Sequence, residues 1–529
     1  MDKIWRVVIV MLVMLGLVAP ASGSAQAALP PTFTIYPGQP VASVSPLLLG
    51  SNAPSWLGDS YSNSTLRART KYSGLKYLRI PGGSYGDLYG WLNCEQGTFN
   101  SNIGYQCGVQ SENWNTWITR PTDYINFLRA TNQKAIYILN VNSTAQEDAA
   151  LVAFFNGSPT DTTTIGVDRN GQDWKTVGYW AQLRVDHGNT NPLYIKYWDF
   201  GNEDFGGMPS TGGSACQSWG WENSWTCDGA AYVNGDANHD GYLAVRAAIQ
   251  AVDSTVMLGA VGVENPTDYN NWDIKVVQNA GAVMDYFIVH PYTYGAPPTS
   301  WATILASPRQ TWPALKSTMQ TLFINYAGGR NIPVAADEFN LTYDHSLDTK
   351  KMMTKAGNML FVSESIGQAI RNGYFMFDQW ALSNGCSASC YDMLMADNNF
   401  ARSPQYYAFT LWSRFGGTML KIGSNVATSQ LSAYAGRVNS STYTLLVINK
   451  TGQTISAAVN FSDARTVSGG TVNVVRATSL DSTSVIYNNL TSIPNNLPGI
   501  APLSLPVNAG KVQYGFPPYS ITLLRMTTP

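Results

Sequence analysis

The sequence predicts an α/β protein, a (β/α)8 TIM barrel with a C-terminal all-β sandwich. Three observations carry this. From about Leu47 to Trp380, short apolar runs alternate with helical patterns, the mark of a parallel sheet with crossover helices. Beyond about Phe415 helical periodicity stops, and Thr/Val/Ser-rich runs alternate with Gly, Asn and Asp-Ser turns, as in a sandwich. At 529 residues the chain exceeds what one core usually holds.

Taken in order, Lys3 and Arg6 precede an apolar run from Val7 to Val18, and Ala25-Gln26-Ala27 supplies a small-residue cleavage pattern. The run is too short to span a bilayer, so residues 1–27 read as a secretory signal and the protein as extracellular. Residues 28–46 hold a short strand, Thr32–Tyr36, expected to join the sandwich. The barrel is expected over 47–414. Its strands are Leu47–Ser51, Tyr77–Ile80, Ala135–Asn140, Ile195–Phe200, Val256–Ala260, Tyr286–Val289, Val334–Asp337 and Tyr374–Gln379. Helical patterns between them include Asp173–Val185, Tyr242–Val252, Trp312–Tyr326 and Lys350–Arg371. The sandwich is expected over 415–529, with strands such as Thr442–Asn449, Ser456–Phe461, Gly470–Ala477 and Ser520–Met526.

Charge excludes one class of partner. Thirty-two basic residues nearly balance 34 acidic ones, which argues against nucleic acid and its need for basic patches. Aromatic residues reach 12%, with 16 Trp and 29 Tyr, a composition suited to an uncharged ligand with apolar faces, such as a sugar. The six cysteines fall as three close couples, Cys94 with Cys107, Cys216 with Cys227 and Cys386 with Cys390, each inside a Gly/Ser/Asn-rich loop. Spacing leaves connectivity open, and local disulfides are the expected pairing.

Glu203 follows the fourth predicted strand and Glu338 ends the seventh. Strands four and seven lie nearly across a barrel, and side chains at their C-terminal ends face its mouth. Two carboxylates so placed, with the amide of Asn202 beside one, suit glycosidic bond cleavage. In a retaining mechanism the carboxyls stand about 5–5.5 Å apart. Glu338 would then be the nucleophile and Glu203 the acid, then the base. The anionic nucleophile is expected to raise the pKa of the acid. Helix capping is the bland reading of either residue.

The strings Trp198-Asp-Phe-Gly-Asn-Glu203 and Asp337-Glu-Phe-Asn340 resemble the acid/base and nucleophile motifs of glycoside hydrolase clan A, the 4/7 superfamily. Family 51, the α-L-arabinofuranosidases, is the nearest in pattern, with family 44 endoglucanases and family 39 enzymes behind it. The resemblance extends over the barrel and the sandwich. It implies an arabinofuranosidase-like enzyme, with an endo-β-glycanase acting on glucan or xylan as the alternative. A non-catalytic carbohydrate-binding barrel is the alternative from another class.

By the same resemblance, Arg79 matches the arginine at the second strand's end and Asn202 the amide that binds the hydroxyl next to the anomeric carbon. His290 and Tyr292 match the pair ending the sixth strand, and Trp380 the platform after the eighth. Physically, Arg79 can hold a carboxylate ionised, and Tyr292 can donate to the nucleophile and keep its pKa low. A structural ion pair, a core imidazole and barrel packing are the bland readings of Arg79, His290 and Trp380. Two departures concern the sugar. The segment Gly50-Ser-Asn-Ala-Pro-Ser-Trp56 lacks the family's glutamate and histidine, and Ser84 stands where it has asparagine.

Trp91, Trp219 and Trp221 sit in loops after the second and fourth strands and are candidate leaving-group subsites; packing among themselves is the alternative. Gly82-Gly83-Ser84-Tyr85-Gly86 matches a serine-hydrolase elbow, but loop composition follows where a helix is required. Asp236, Asn238 and Asp240 match the first half of a calcium loop, whose twelfth position is Ala247 in place of an acid. No cofactor is required, and any calcium would be structural.

Overall fold

A computed structural model of the chain describes residues 29–97, 118–208, 220–385 and 391–529. Within it, Pro31–Pro529 form one compact unit. Eight parallel strands close into a barrel: β1 (Gly50–Asn52), β2 (Tyr77–Ile80), β3 (Lys134–Leu139), β4 (Tyr197–Phe200), β5 (Met257–Val261), β6 (Tyr286–Val289), β7 (Val334–Thr342) and β8 (Met376–Gln379). Each pairs with its successor, and β8 pairs back with β1. Strands buried on both faces read as unbroken apolar runs, and every residue of β7 is buried.

Element edges shift where local chemistry overrides hydrophobicity. The run from Leu47 opens as a 3-10 turn, Pro46–Leu48, because Ser45 caps the Leu47 amide and Pro46 suits a first helical turn; β1 starts only at Gly50. The helix expected from Asp173 starts at Val177, after Thr176 caps the Tyr179 amide. The helix expected from Lys350 starts at Ala356, since Lys351 is left-handed (φ 56°) and begins a separate 3-10 turn. Strand β7 runs five residues past Asp337, and its extension pairs with Tyr292–Tyr294.

The second layer is an eleven-stranded curled sheet, antiparallel except where Thr32–Ser43 runs parallel to Ile455–Phe461. Thr32–Ser43 also pairs with Thr418–Ser424, so the N-terminal strand completes a sheet whose other strands follow the barrel. Phe33, Leu445, Val459, Phe516 and Leu524 form its separate core. The buried helix Ala356–Arg371 locks the two layers together. A Cβ on Gly367 would stand 2.3 Å from the Tyr434 ring, and the Tyr434 hydroxyl donates to Glu364 at 2.8 Å. Among the described residues no helix is long and apolar enough to cross a membrane.

Inside the barrel, Gly259 on β5 makes room for Tyr286 on β6, as a Cβ there would lie 2.2 Å from ring carbon Cε2. The Tyr286 hydroxyl stands 2.6 Å from the Trp198 carbonyl and 2.8 Å from Asp199 Oδ1. Gly259→Ala is therefore expected to overpack the barrel and destabilise it by about 1–3 kcal/mol. A urea titration checks this, and an unchanged midpoint contradicts the packing account.

Candidate active site

The site grows from Arg79, a fully buried guanidinium near the C-terminal end of β2. Its Nε donates to Asp199 Oδ2 at 2.7 Å and stands 3.4 Å from Asp337 Oδ2. Its Nη1 donates to Glu338 Oε1 at 2.9 Å and to Asn52 Oδ1 at 3.2 Å, and both Nη atoms reach Asn202 Oδ1 at 3.3 Å. One planar fork thus ties the ends of β1, β2, β4 and β7 together. Burial alone would lower the arginine's pKa, but Asp337, Asp199 and Glu338 outweigh it and raise it.

Glu338 also accepts from the Tyr292 hydroxyl at 2.9 Å. Glu203 is held by two neighbours: His290 Nδ1 lies 3.0 Å from Oε1, and the Trp221 indole donates to Oε2 at 3.1 Å. The other ring nitrogen of His290 lies 3.0 Å from Asp337 Oδ1, and Nδ1 is 3.8 Å from Glu338. One oxygen from each glutamate and a ring nitrogen of His290 all fall within 4.8 Å of one another.

This arrangement reverses the expected order of the two carboxyls. Burial pushes Glu203 up, but the hydrogen bond and charge of His290, then Trp221 and Arg79, take it below its ordinary value. Burial also pushes Glu338 up; His290 and Arg79 offset this only in part, and the charge of Glu203 adds to the rise. Burial disfavours a cationic His290, yet Glu338, Asp337 and Glu203 surround it and hold its pKa well above the usual imidazole value. The correction has a physical cause. Sequence reasoning expected the charge of Glu338 to raise Glu203, whereas the hydrogen bond and charge of the adjacent His290 act in the opposite direction.

Asn202 is oriented from both ends. Its carbonyl oxygen is consumed by Arg79, and its amide donates to Glu222 Oε1 at 3.1 Å, leaving one N–H for the cleft. Ser84 also donates to Glu222, at 2.6 Å. Glu222 is buried, and its Oε2 meets no donor among the described residues. Burial and the charge of Glu203 push its pKa up to about 7. Sequence reasoning missed Glu222, Asn52 and Glu264. Asn52 was legible in principle, as a polar residue closing an apolar strand. Glu222 and Glu264 lie in loops without periodicity.

Asn202, Glu203, Glu264, His290, Tyr292 and Glu338 line a cleft of about 830 Å³ at the barrel mouth. Trp380 forms one wall, 6.0 Å from Trp56 ring to ring; Gly83, with φ 64°, lets it approach, since a Cβ there would meet its ring at 2.5 Å. Trp221 also lines the cleft. Trp91 does not reach the cleft: it is buried and packs on Phe154 and Trp180, because its helix turns inward. Trp225 stacks on His239 with centroids 4.5 Å apart. Trp219 and four cysteines, Cys107, Cys216, Cys386 and Cys390, lie outside the described residues, and Cys94 and Cys227 are both buried.

In the calcium-like loop, Asp236 accepts from the Asn238 and His239 amides, and Asp240 pairs with Arg169. The one grouping of His, Cys, Asp and Glu ligands among the described residues that could hold a metal is Glu203, His290 and Glu338. Arg79, Tyr292 and Trp221 already donate to those carboxylates, which suits proton chemistry.

No protein-family model matches the chain. The intracellular exo-α-(1→5)-L-arabinofuranosidase of Bacillus subtilis is 28% identical over 182 residues, which is 33% of this chain and 32% of that relative's length. The fold is similar to that of an α-L-arabinofuranosidase from Thermotoga maritima, with TM-score 0.68 and 16% identity over 94% of this chain and 100% of the other. A family 44 xyloglucanase from Paenibacillus polymyxa matches with TM-score 0.58 and 12% identity, over 94% of this chain and 99% of the other. These likenesses establish the barrel-plus-sandwich fold.

The raised pKa of His290 makes its cation a stabilising group. Its contribution is complete below about pH 6.5, the unfolded value, and is lost as pH climbs through the higher folded value. The stability difference between wild type and His290→Gln is therefore expected to shrink as pH rises above neutrality. Urea titrations at several pH values test this, and a difference that grows with pH contradicts the assignment.

Proposed function

We propose that the protein is a retaining glycoside hydrolase, α-L-arabinofuranosidase-like, that cleaves a polysaccharide or oligosaccharide by double displacement. One observation carries this reading. Carboxylate oxygens of Glu203, just past β4, and Glu338, on β7, approach within 4.8 Å, near the short separation of retaining enzymes.

In the first step a Glu338 oxygen attacks the anomeric carbon as the bond to the leaving oxygen breaks. The proton passes from the His290–Glu203 hydrogen bond through Glu203 to that oxygen. Forming the ester removes the charge of Glu338, which is the strongest force holding the proton on His290. The imidazole and Glu203 are then ready to accept a proton from the incoming water. That water attacks the anomeric carbon and releases Glu338. Asn202 offers its remaining N–H to the neighbouring hydroxyl, where a hydrogen bond strengthens as positive charge develops.

An endo-β-glycanase is the second reading. It is favoured by the aromatic walls of the cleft and by Ser84, whose hydroxyl is committed to Glu222. Secretion, with disulfides on the long loops, belongs to the same proposal and rests on the N-terminal pattern and the paired cysteines.

Product configuration, followed by NMR on aryl glycosides and polysaccharides, tests the mechanism. Retention with single arabinose units is expected; retention with oligosaccharides from glucan or xylan transfers the substrate to the second reading. Inversion contradicts the nucleophile assignment.

A further inference from the structure

The loop after β4 carries a rigid aromatic surface that the double-displacement chemistry does not use. Trp221 N and Glu222 N both donate to the Gly206 carbonyl, at 2.7 and 2.9 Å, and Met208 N donates to Glu222 O at 3.0 Å. This short ribbon fixes the Trp221 backbone. One indole face lies on Gly206, where a Cβ would stand 2.5 Å from Cε2. Its edge meets Phe205 and Tyr269, at ring distances of 5.7 and 5.5 Å, and its nitrogen is spent on Glu203. Even so, Trp221 is 40% exposed, so its free face opens on the cleft beside Glu203.

Tyr269 buttresses this platform from a costly backbone. It and the next two residues, Asn270 and Asn271, have φ of 48°, 59° and 60°, a left-handed run that L-residues avoid. Strain of this kind gathers at ligand sites. Glu264, on the turn after β5, completes the surface. It is solvent-exposed and lines the same cleft. The surrounding protein and the charge of Glu203 push its pKa up to about 7, against the lowering by His290 and the Tyr292 backbone amide, so it is a carboxylate above neutral pH. No side-chain hydrogen bond to another described residue commits it.

We infer that Trp221 and Glu264 form a leaving-group subsite for a neutral pyranose, with the sugar's C–H face on the indole and two adjacent hydroxyls donating to the carboxylate. A carboxylate binds paired hydroxyl donors well, and an indole face binds an apolar ring face. The inference rests on the glycosidase reading and deepens it. The leaving group is a sugar with adjacent hydroxyls, and the scissile bond lies within an oligosaccharide or between a branch and its backbone.

The test compares two substrates with one glycone, the one selected on aryl glycosides: a 4-nitrophenyl glycoside and a neutral oligosaccharide. Glu264→Ala and Glu264→Gln are assayed on both. The loss of kcat/KM is expected to be about tenfold or more greater on the oligosaccharide, as fits the loss of a charged hydrogen-bond acceptor. Trp221→Phe, which keeps a ring but drops the bond to Glu203, is expected to slow both substrates. Equal losses on both substrates in the two Glu264 variants overturn the subsite while leaving the glycosidase reading intact. A wild-type protein inert on both overturns that reading and the subsite with it.

Discussion

The buried guanidinium of Arg79 is the constraint on which the site depends. A fully buried charge is tolerated only when paired and hydrogen-bonded, and here the pairing is shared among Asp199, Asp337 and Glu338. The partners come from β4 and β7, so closing the barrel and assembling the cleft are one event. Breaking such a network by removing one member typically costs about 3–5 kcal/mol, because the remaining charges stay buried. The same fork accepts no substitute in lysine, which lacks its planar set of donors. Tyr286 extends the network downward to Asp199, and Asn52 extends it sideways, donating to the Asp337 carbonyl at 2.8 Å.

With Arg79 holding three carboxylates in place, His290 becomes the movable charge. It touches Glu203 and Asp337 and faces Glu338, so any change of charge on Glu338 is felt at the imidazole. In the proposed double displacement, forming and breaking one ester bond would drive the proton toward and away from Glu203. Asn202 and Glu222 are fixed by hydrogen bonds that do not involve this proton.

Much of the architecture was legible in the sequence because it depends on short-range pattern. Tyr286–Val289 is a strand and Tyr242–Val252 a helix at the residues where hydrophobic period and turn residues place them. Edges failed where a single side chain decided the conformation, as at Ser45, Thr176 and Lys351. Glu203, Glu338 and the adjacent Asn202 could be named from strand ends, and Arg79, His290 and Tyr292 from the resemblance; hydrogen bonds join all six in the structure. The ordering of the carboxyl pKa values was not legible. It follows from a 3.0 Å approach between residues 87 positions apart. Glu222 and Glu264 were hidden for the same reason, since loop acids gain meaning only from what the folded chain sets beside them. Trp91 was misjudged because composition cannot tell an inward-facing loop tryptophan from an outward-facing one.

The central claim is that Glu338, steadied by Arg79 and Tyr292, bonds to the sugar. The most direct measurement is to trap that bond with a 2-deoxy-2-fluoro glycoside bearing a good leaving group, then map the adduct by peptide mass spectrometry. The account predicts one sugar per chain, attached to the peptide containing Glu338 and slowly released on dilution. An adduct on another residue, or sustained turnover of the reagent with no adduct, would contradict it.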